Sequence, residues 1–197
     1  THGNQQGFLV HLALAVLPGE ERLALGSCGL LRICRSERKK TRKKSWYEMS
    51  KDPARESLRW SQLVDQVDAR CKNVDCIHLM DREGDNYDLF ALMLRKNGRF
   101  VVRACHDRAL ADGGRLLDVL DQLQPKARRI IPLNERLDDG RRTHGRRHPP
   151  RIGRTARVEI AGATVALRKT PSAQAPEERI TVNEANRVAA FLKTTLS

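Results

Sequence analysis

The sequence predicts an α/β protein on three observations. A short apolar run, Asp75 to Met80, stops abruptly at the charged cluster Asp81-Arg82-Glu83-Gly84-Asp85. A helical pattern follows through Tyr87, Phe90, Met93 and Leu94, and a second strand-like run spans Arg99 to Cys105. A helix joining two strands makes a right-handed crossover that sets them parallel, so these two runs are expected to be parallel neighbours.

The other elements follow in chain order. Phe8 to Leu17 is apolar and suits a buried strand, Pro18-Gly19-Glu20-Glu21 signals a turn, and Arg22 to Leu30 resumes the strand pattern, predicting a β-hairpin. Leu31 to Lys44 carries eight cations and almost no apolar residue after Ile33, which predicts a basic loop. Between Glu56 and Cys71, the residues Trp60, Leu63, Val64, Val67 and Cys71 recur at three- and four-residue steps, so one face of a helix is buried. The helix after Met80 is predicted from Asp85, a good N-cap with Asp88 three residues on, to about Lys96, where Asn97-Gly98 supplies the stop. Beyond Asp107 the character changes. A short amphipathic helix over Arg115 to Leu123 leads to a strand at Arg128 to Leu133, and then to a basic loop from Asn134 to Arg154. Ala156 to Ile160 and Thr164 to Leu167 flank Ala161-Gly162-Ala163 as a second predicted hairpin. Pro171 to Glu178 reads as a linker and Asn183 to Leu192 as a helix. The expected division is 1–108, then a β-rich insertion over 109–170, then 171–197 as a linker and a return to the first part.

With 197 residues and 40% hydrophobic content, the chain can build one domain with a sizeable core. Lys and Arg number 37 against 24 Asp and Glu, a formal charge of +13. Self-repulsion of that size opposes compactness and is common where a polyanion is the partner, with nucleic acid first and an anionic membrane second. Neither a secretory signal nor a spanning helix is visible, which predicts a soluble, cytoplasmic protein with no membrane partner. The five cysteines, Cys28, Cys34, Cys71, Cys76 and Cys105, lie mostly in apolar runs and lack the tight spacing of a zinc site, so reduced thiols are expected.

Asp81 falls where a strand gives out, and in sheets flanked by helices chemistry collects at the carboxyl ends of strands. Two readings stay open. In one, Asp81 and Asp85 cap the following helix, whose N-terminus favours negative charge, and Arg82 and Glu83 form a surface ion pair. In the other, Asp81 is a hard oxygen ligand for Mg²⁺ shared with phosphate oxygens.

The run His78-Leu79-Met80-Asp81-Arg82-Glu83-Gly84-Asp85-Asn86-Tyr87, followed by Arg99-Phe100-Val101-Val102-Arg103-Ala104 and His106-Asp107-Arg108, resembles the catalytic core of bacterial DDE transposases of the insertion-sequence type, the transposon five transposase-like family. Phe8 to Ala15 resembles that family's strand after its first catalytic Asp, and Glu56-Ser57-Leu58-Arg59-Trp60 its Glu-Ser-x-basic-Trp helix start. The likeness spans residues 7–108. It implies a ribonuclease-H-like fold, a mixed sheet with flanking helices and a β-rich insertion, with Asp81 as the second catalytic Asp and a metal ligand. Arg82, Glu83 and Asp85 would support that site, and Arg103 and Arg108 would contact the DNA backbone. The resemblance further implies two Mg²⁺ or Mn²⁺ ions about 4 Å apart, which activate water and then a 3′-hydroxyl for DNA strand cleavage and transfer. The implied partners are transposon ends and target DNA, with a homodimer in the synaptic complex and a nucleoid-associated location.

The first Asp of the pattern has no match before Phe8, and Glu184 lacks the Tyr and Lys that accompany the third carboxylate. The expectation is a fragment with one carboxylate of three and no cleavage activity alone. Lys39, Lys40, Lys43, Lys44, Arg146 and Arg147 are the expected phosphate contacts of the basic segments. His11 reads as a partly buried, hydrogen-bonded residue, His78 as a structural one, His144 and His148 as either phosphate-pairing or solvated loop residues, and Trp46 and Tyr47 as either base-stacking or packing aromatics. A non-catalytic nucleic-acid-binding module is the alternative.

Overall fold

The computed structural model describes residues 8–19, 23–34, 45–53, 55–137, 142–143, 146–147, 150–182 and 191–196; for residues 34, 46–47, 142–143, 146–147 and 191–196 it describes the backbone alone. The chain is a mixed α/β protein of few helices and small sheets. None of the described helices is long and apolar enough to cross a membrane.

Strands β1 (Phe8–Val16) and β2 (Ala24–Cys34) form the expected antiparallel hairpin, with register shifts after Ala13 and Ala15. The strand runs four residues past the predicted end, so Arg32 belongs to β2 and not to a basic loop. Helix α1 (Trp46–Ser50) opens with a capping box. The Glu48 N–H donates to Ser45 Oγ at 3.2 Å, and the Ser45 N–H to Glu48 Oε2 at 2.7 Å. Helix α2 (Leu58–Arg70) lays Leu63, Val64 and Val67 against the hairpin, so close that a Cβ on buried Gly29 would meet Leu63 Cδ1 at 2.8 Å. The small residue Ala13 of β1 lies at the same close approach of the helix. The opposite face, Phe8, Val10, Leu12, Leu14 and Val16, is exposed, which corrects the expectation of a fully buried strand.

Strand β3 (Ile77–Met80), helix α3 (Tyr87–Arg95) and strand β4 (Arg99–Val102) make the predicted crossover, and the strands pair in parallel from Ile77↔Arg99 to Met80↔Val102. Helix α3 starts later than predicted. Its N-cap is Asn86, whose Oδ1 accepts the Asp88 N–H at 2.8 Å, and not Asp85. Asn97 at φ 53 and Gly98 end it, as the sequence indicated.

Helix α4 (Leu116–Gln122) precedes a sheet in which β8 (Arg154–Ala161) lies between β5 (Ala127–Leu133) and β11 (Phe191–Leu196). Strands β6 (Arg142–Thr143) and β7 (Arg146–Arg147) pair with each other. The second predicted hairpin does not form: β9 (Val165–Arg168) pairs with β10 (Arg179–Val182), and residues 109–111 bond along its other edge. Ala-Gly-Ala is not a tight-turn sequence of the Asn-Gly kind, and Leu167, Ile180 and Val182 are drawn instead into the core. The helix expected over Asn183 to Leu192 is also corrected at its end, where Phe191 and Leu192 begin β11; residues 183–190 lie outside the described set.

The core joins Val64 of α2, Tyr87, Leu89, Phe90, Ala91 and Met93 of α3, Phe100 and Val102 of β4, and Leu110, Leu116, Leu167, Ala175, Ile180 and Val182. Phe90 and Phe100 stack at 5.6 Å and 18°. Each such fully buried apolar side chain is worth about 1.5–3 kcal/mol. The hydrophobic core runs continuously across residue 108. Nor is the segment 171–178 a loose linker: Gln174 and Ala175 N–H groups donate to Asp88 Oδ1 at 2.7 and 2.8 Å, Tyr87 Oη donates to the Glu177 carbonyl at 3.0 Å, and Arg95 pairs with Glu177 at 2.7 Å.

Candidate functional site

The end of β3 positions Asp81. Its backbone remains extended at φ −78, ψ −172, and its exposed side chain caps a single 3₁₀ turn, Arg82–Gly84, by accepting the Glu83 N–H on Oδ1 at 2.9 Å. Gly84 is required there because a Cβ would stand 2.8 Å from Met80 Cβ. Glu83 pairs with Arg59 of α2, which fastens the turn to the helix. Arg103, the first residue after β4, donates its N–H to the Met80 carbonyl at 3.1 Å, so the two parallel strand ends meet beside Asp81, and Arg103 is exposed there.

His11 brings β1 to the same region. Its ring meets Trp60 edge-on at 4.4 Å and 79°. Burial, and then the Arg59 charge, lower its pKa, while Glu83 and Asp81 act in the opposite direction. The imidazole is therefore held neutral at neutral pH. Its Nδ1 is buried and makes no hydrogen bond.

Asp85 and Arg108 form a different kind of site from the one expected. Asp85 is 6% and Arg108 7% exposed. Arg108 Nε and Nη2 donate to Asp85 Oδ1 at 2.9 and 2.5 Å, Nη2 also donates to the Asp85 carbonyl at 2.8 Å, and the guanidinium stacks 5.2 Å from the centre of the Phe90 ring. The other carboxylate oxygen accepts the N–H groups of Cys105 and His106 at 2.7 and 2.9 Å. Burial works against ionised Asp85, but the Cys105 N–H, the Arg108 guanidinium and the His106 N–H outweigh it and hold the carboxyl below its usual range. Arg108 is thus a structural clamp rather than an exposed DNA contact, because it is buried and its Nε and Nη2 are committed to Asp85.

Among the described residues, one group of three possible metal ligands converges: Asp85, Cys105 and His106. It does not fit Mg²⁺. Its carboxylate is already saturated by Arg108 and two backbone donors, and a thiol and an imidazole are the wrong ligands for a hard cation. Asp81 is of the right type, an exposed carboxylate at a strand end, but by itself it supplies a single anchor. No two-ion site is assembled from the described residues.

Lys39, Lys40, Lys43, Lys44, His144, His148 and Glu184 lie outside the described residues, as do the side chains of Trp46, Tyr47, Arg146 and Arg147. His78 is half-buried with Nε2 3.5 Å from Asp68 Oδ1. Asp88, which sequence reading used only as a helix-start carboxylate, holds Arg55 at 3.2 Å as well as the 174–175 backbone. No pattern in the chain marked those partners. Comparison with models of known protein families and with curated proteins gives no match.

Proposed function

We propose that this chain is the nucleic-acid-handling core of a DNA-transposing protein of the DDE type, with a ribonuclease-H-like arrangement of β1 to β4 and with Asp81 as one metal-binding carboxylate. In this reading the chain binds duplex DNA through phosphate contacts and does not cut it alone. Dimerisation on transposon ends belongs to the same proposal. The observation that carries it is the position of Asp81, exposed at the joint carboxyl end of two parallel strands, with Arg103 beside it and a net charge of +13 behind it. Carboxylates at such ends are well placed to hold Mg²⁺ or Mn²⁺ against a phosphate oxygen. The family likeness read in residues 7–108 supports the same conclusion.

A second reading is favoured by the bond from the Glu83 N–H to Asp81 Oδ1: a non-catalytic nucleic-acid-binding module in which Asp81 only caps the turn. Asparagine keeps the cap and removes the charge, so Asp81→Asn separates the two. If Asp81 is a metal ligand, Mn²⁺ tightens DNA binding by the wild-type chain, and the gain disappears in Asp81→Asn with metal-free binding no weaker. If both proteins respond equally to Mn²⁺, the module reading stands and the metal role is lost. Incubation with Mn²⁺ and end-sequence DNA is expected to leave the DNA uncut; cleavage that Asp81→Asn abolishes would overturn the statement that the chain is inactive alone.

A further inference from the structure

Two cysteines that the nucleic-acid reading leaves unused are brought together where α2 hands over to β3. Cys71 is the residue that caps the C-terminus of α2, and its carbonyl accepts the Val74 N–H at 3.0 Å, folding the chain back on itself. Cys76 immediately precedes β3. Cys76 and His78 line the same cavity. His78 Nε2 lies 3.5 Å from Asp68 Oδ1, and Asp68 is one helical turn before Cys71. Positions 76 and 78 thus stand beside positions 68 and 71 around one cavity.

Both thiols are free and half-buried, and they line one open cavity of about 160 Å³ together with Asp68, His78 and Arg99. The third thiol of this region is otherwise engaged, since Cys28 Sγ donates to the Ala13 carbonyl at 3.5 Å. Cys105 lies elsewhere, with Sγ donating to the Arg82 carbonyl at 3.3 Å.

We propose that Cys71 and Cys76 are a reversible dithiol–disulfide pair, a redox modification site that staples the end of α2 to the start of β3. The oxidant is a low-molecular-weight disulfide of the glutathione class, which reaches the thiols through the open cavity. Cys71 loses its proton and its sulfur attacks one sulfur of the oxidant, breaking that S–S bond and expelling one glutathione thiolate, which takes up the proton. Cys76 then loses its proton and attacks Cys71 Sγ in the mixed disulfide, releasing the second glutathione. Two protein thiols are oxidised and one glutathione disulfide is reduced to two thiols. Burial, and then Cys71 itself, push the Cys76 thiol up and disfavour its thiolate. The bond joins the helix to the strand whose far end carries Asp81, but nothing in its chemistry depends on DNA.

The chain offers its own readout. Arg70, Lys72 and Arg82 are trypsin sites, so digestion puts Cys71 and Cys76 on separate peptides, 71–72 and 73–82. The full-length chain is equilibrated, folded, in glutathione buffers of rising oxidised fraction, quenched in acid, alkylated and digested. The expected product is peptide 71–72 joined to 73–82, lighter by two hydrogens than the reduced pair, rising with oxidised fraction and lost on reduction. The proposal is overturned if both cysteines stay alkylated throughout, if each keeps its own glutathione, or if Cys76 is joined to another cysteine instead.

Discussion

Asp85 and Arg108 show how much a single pair decides at the scale of the residue. Taking a carboxylate and a guanidinium out of water costs several kcal/mol per ion, and the structure offsets it with the fork of Arg108, two backbone donors and the face of Phe90. Removing one partner strands the other, so Arg108→Ala is expected to lower unfolding stability by about 3–5 kcal/mol in urea titrations. Arg108→Lys should recover little of it, since a lysine cannot reproduce the fork. The pair also sets an acid limit. The native Asp85 carboxyl lies below its unfolded value, so its contribution is complete above about pH 4 and falls away as pH drops through the lower native value. In urea midpoints followed against pH, Asp85→Asn should flatten that acid limb. Both residues stood out in the sequence, but 23 positions apart nothing linked them. The helix-cap and DNA-contact readings were local ones, and the fold replaced both with a buried bond.

At the scale of the element, the crossover from β3 through α3 to β4 was legible because its apolar periodicity and its Asn97-Gly98 stop are local signals that the core reinforces. The turn between β3 and α3 was legible in outline only. Gly84 is there for a steric reason, contact with Met80 Cβ, that no pattern announces. Gly84→Ala is expected to shift the 3₁₀ turn and cost about 1–3 kcal/mol. Hydrogen exchange should show the loss localised to the Glu83 amide, whose bond to Asp81 depends on that turn. The hairpin predicted over 156–167 failed for the opposite reason. Its strands were correctly sensed, but strand pairing is a long-range choice, and each found a better partner elsewhere.

At the scale of the whole molecule, the charge of +13 is the dominant fact. If phosphate contacts hold DNA, the logarithm of the binding constant should fall linearly with the logarithm of salt concentration, with a slope of about −0.9 per phosphate neutralised. A slope near zero in a fluorescence titration would remove the electrostatic role. The sequence alone determined the mixed α/β class, the parallel β3–β4 unit, the first hairpin and the strand-end position of Asp81, because periodicity, turn residues and charge act over a few neighbouring residues. Only the tertiary structure decided that Arg108 is buried against Asp85, that residues 171–178 are fastened to α3, that the core continues past residue 108, and that Cys71 and Cys76 share one cavity. Those contacts join residues that chain proximity does not relate, or turn on which way side chains face once helices and strands have packed.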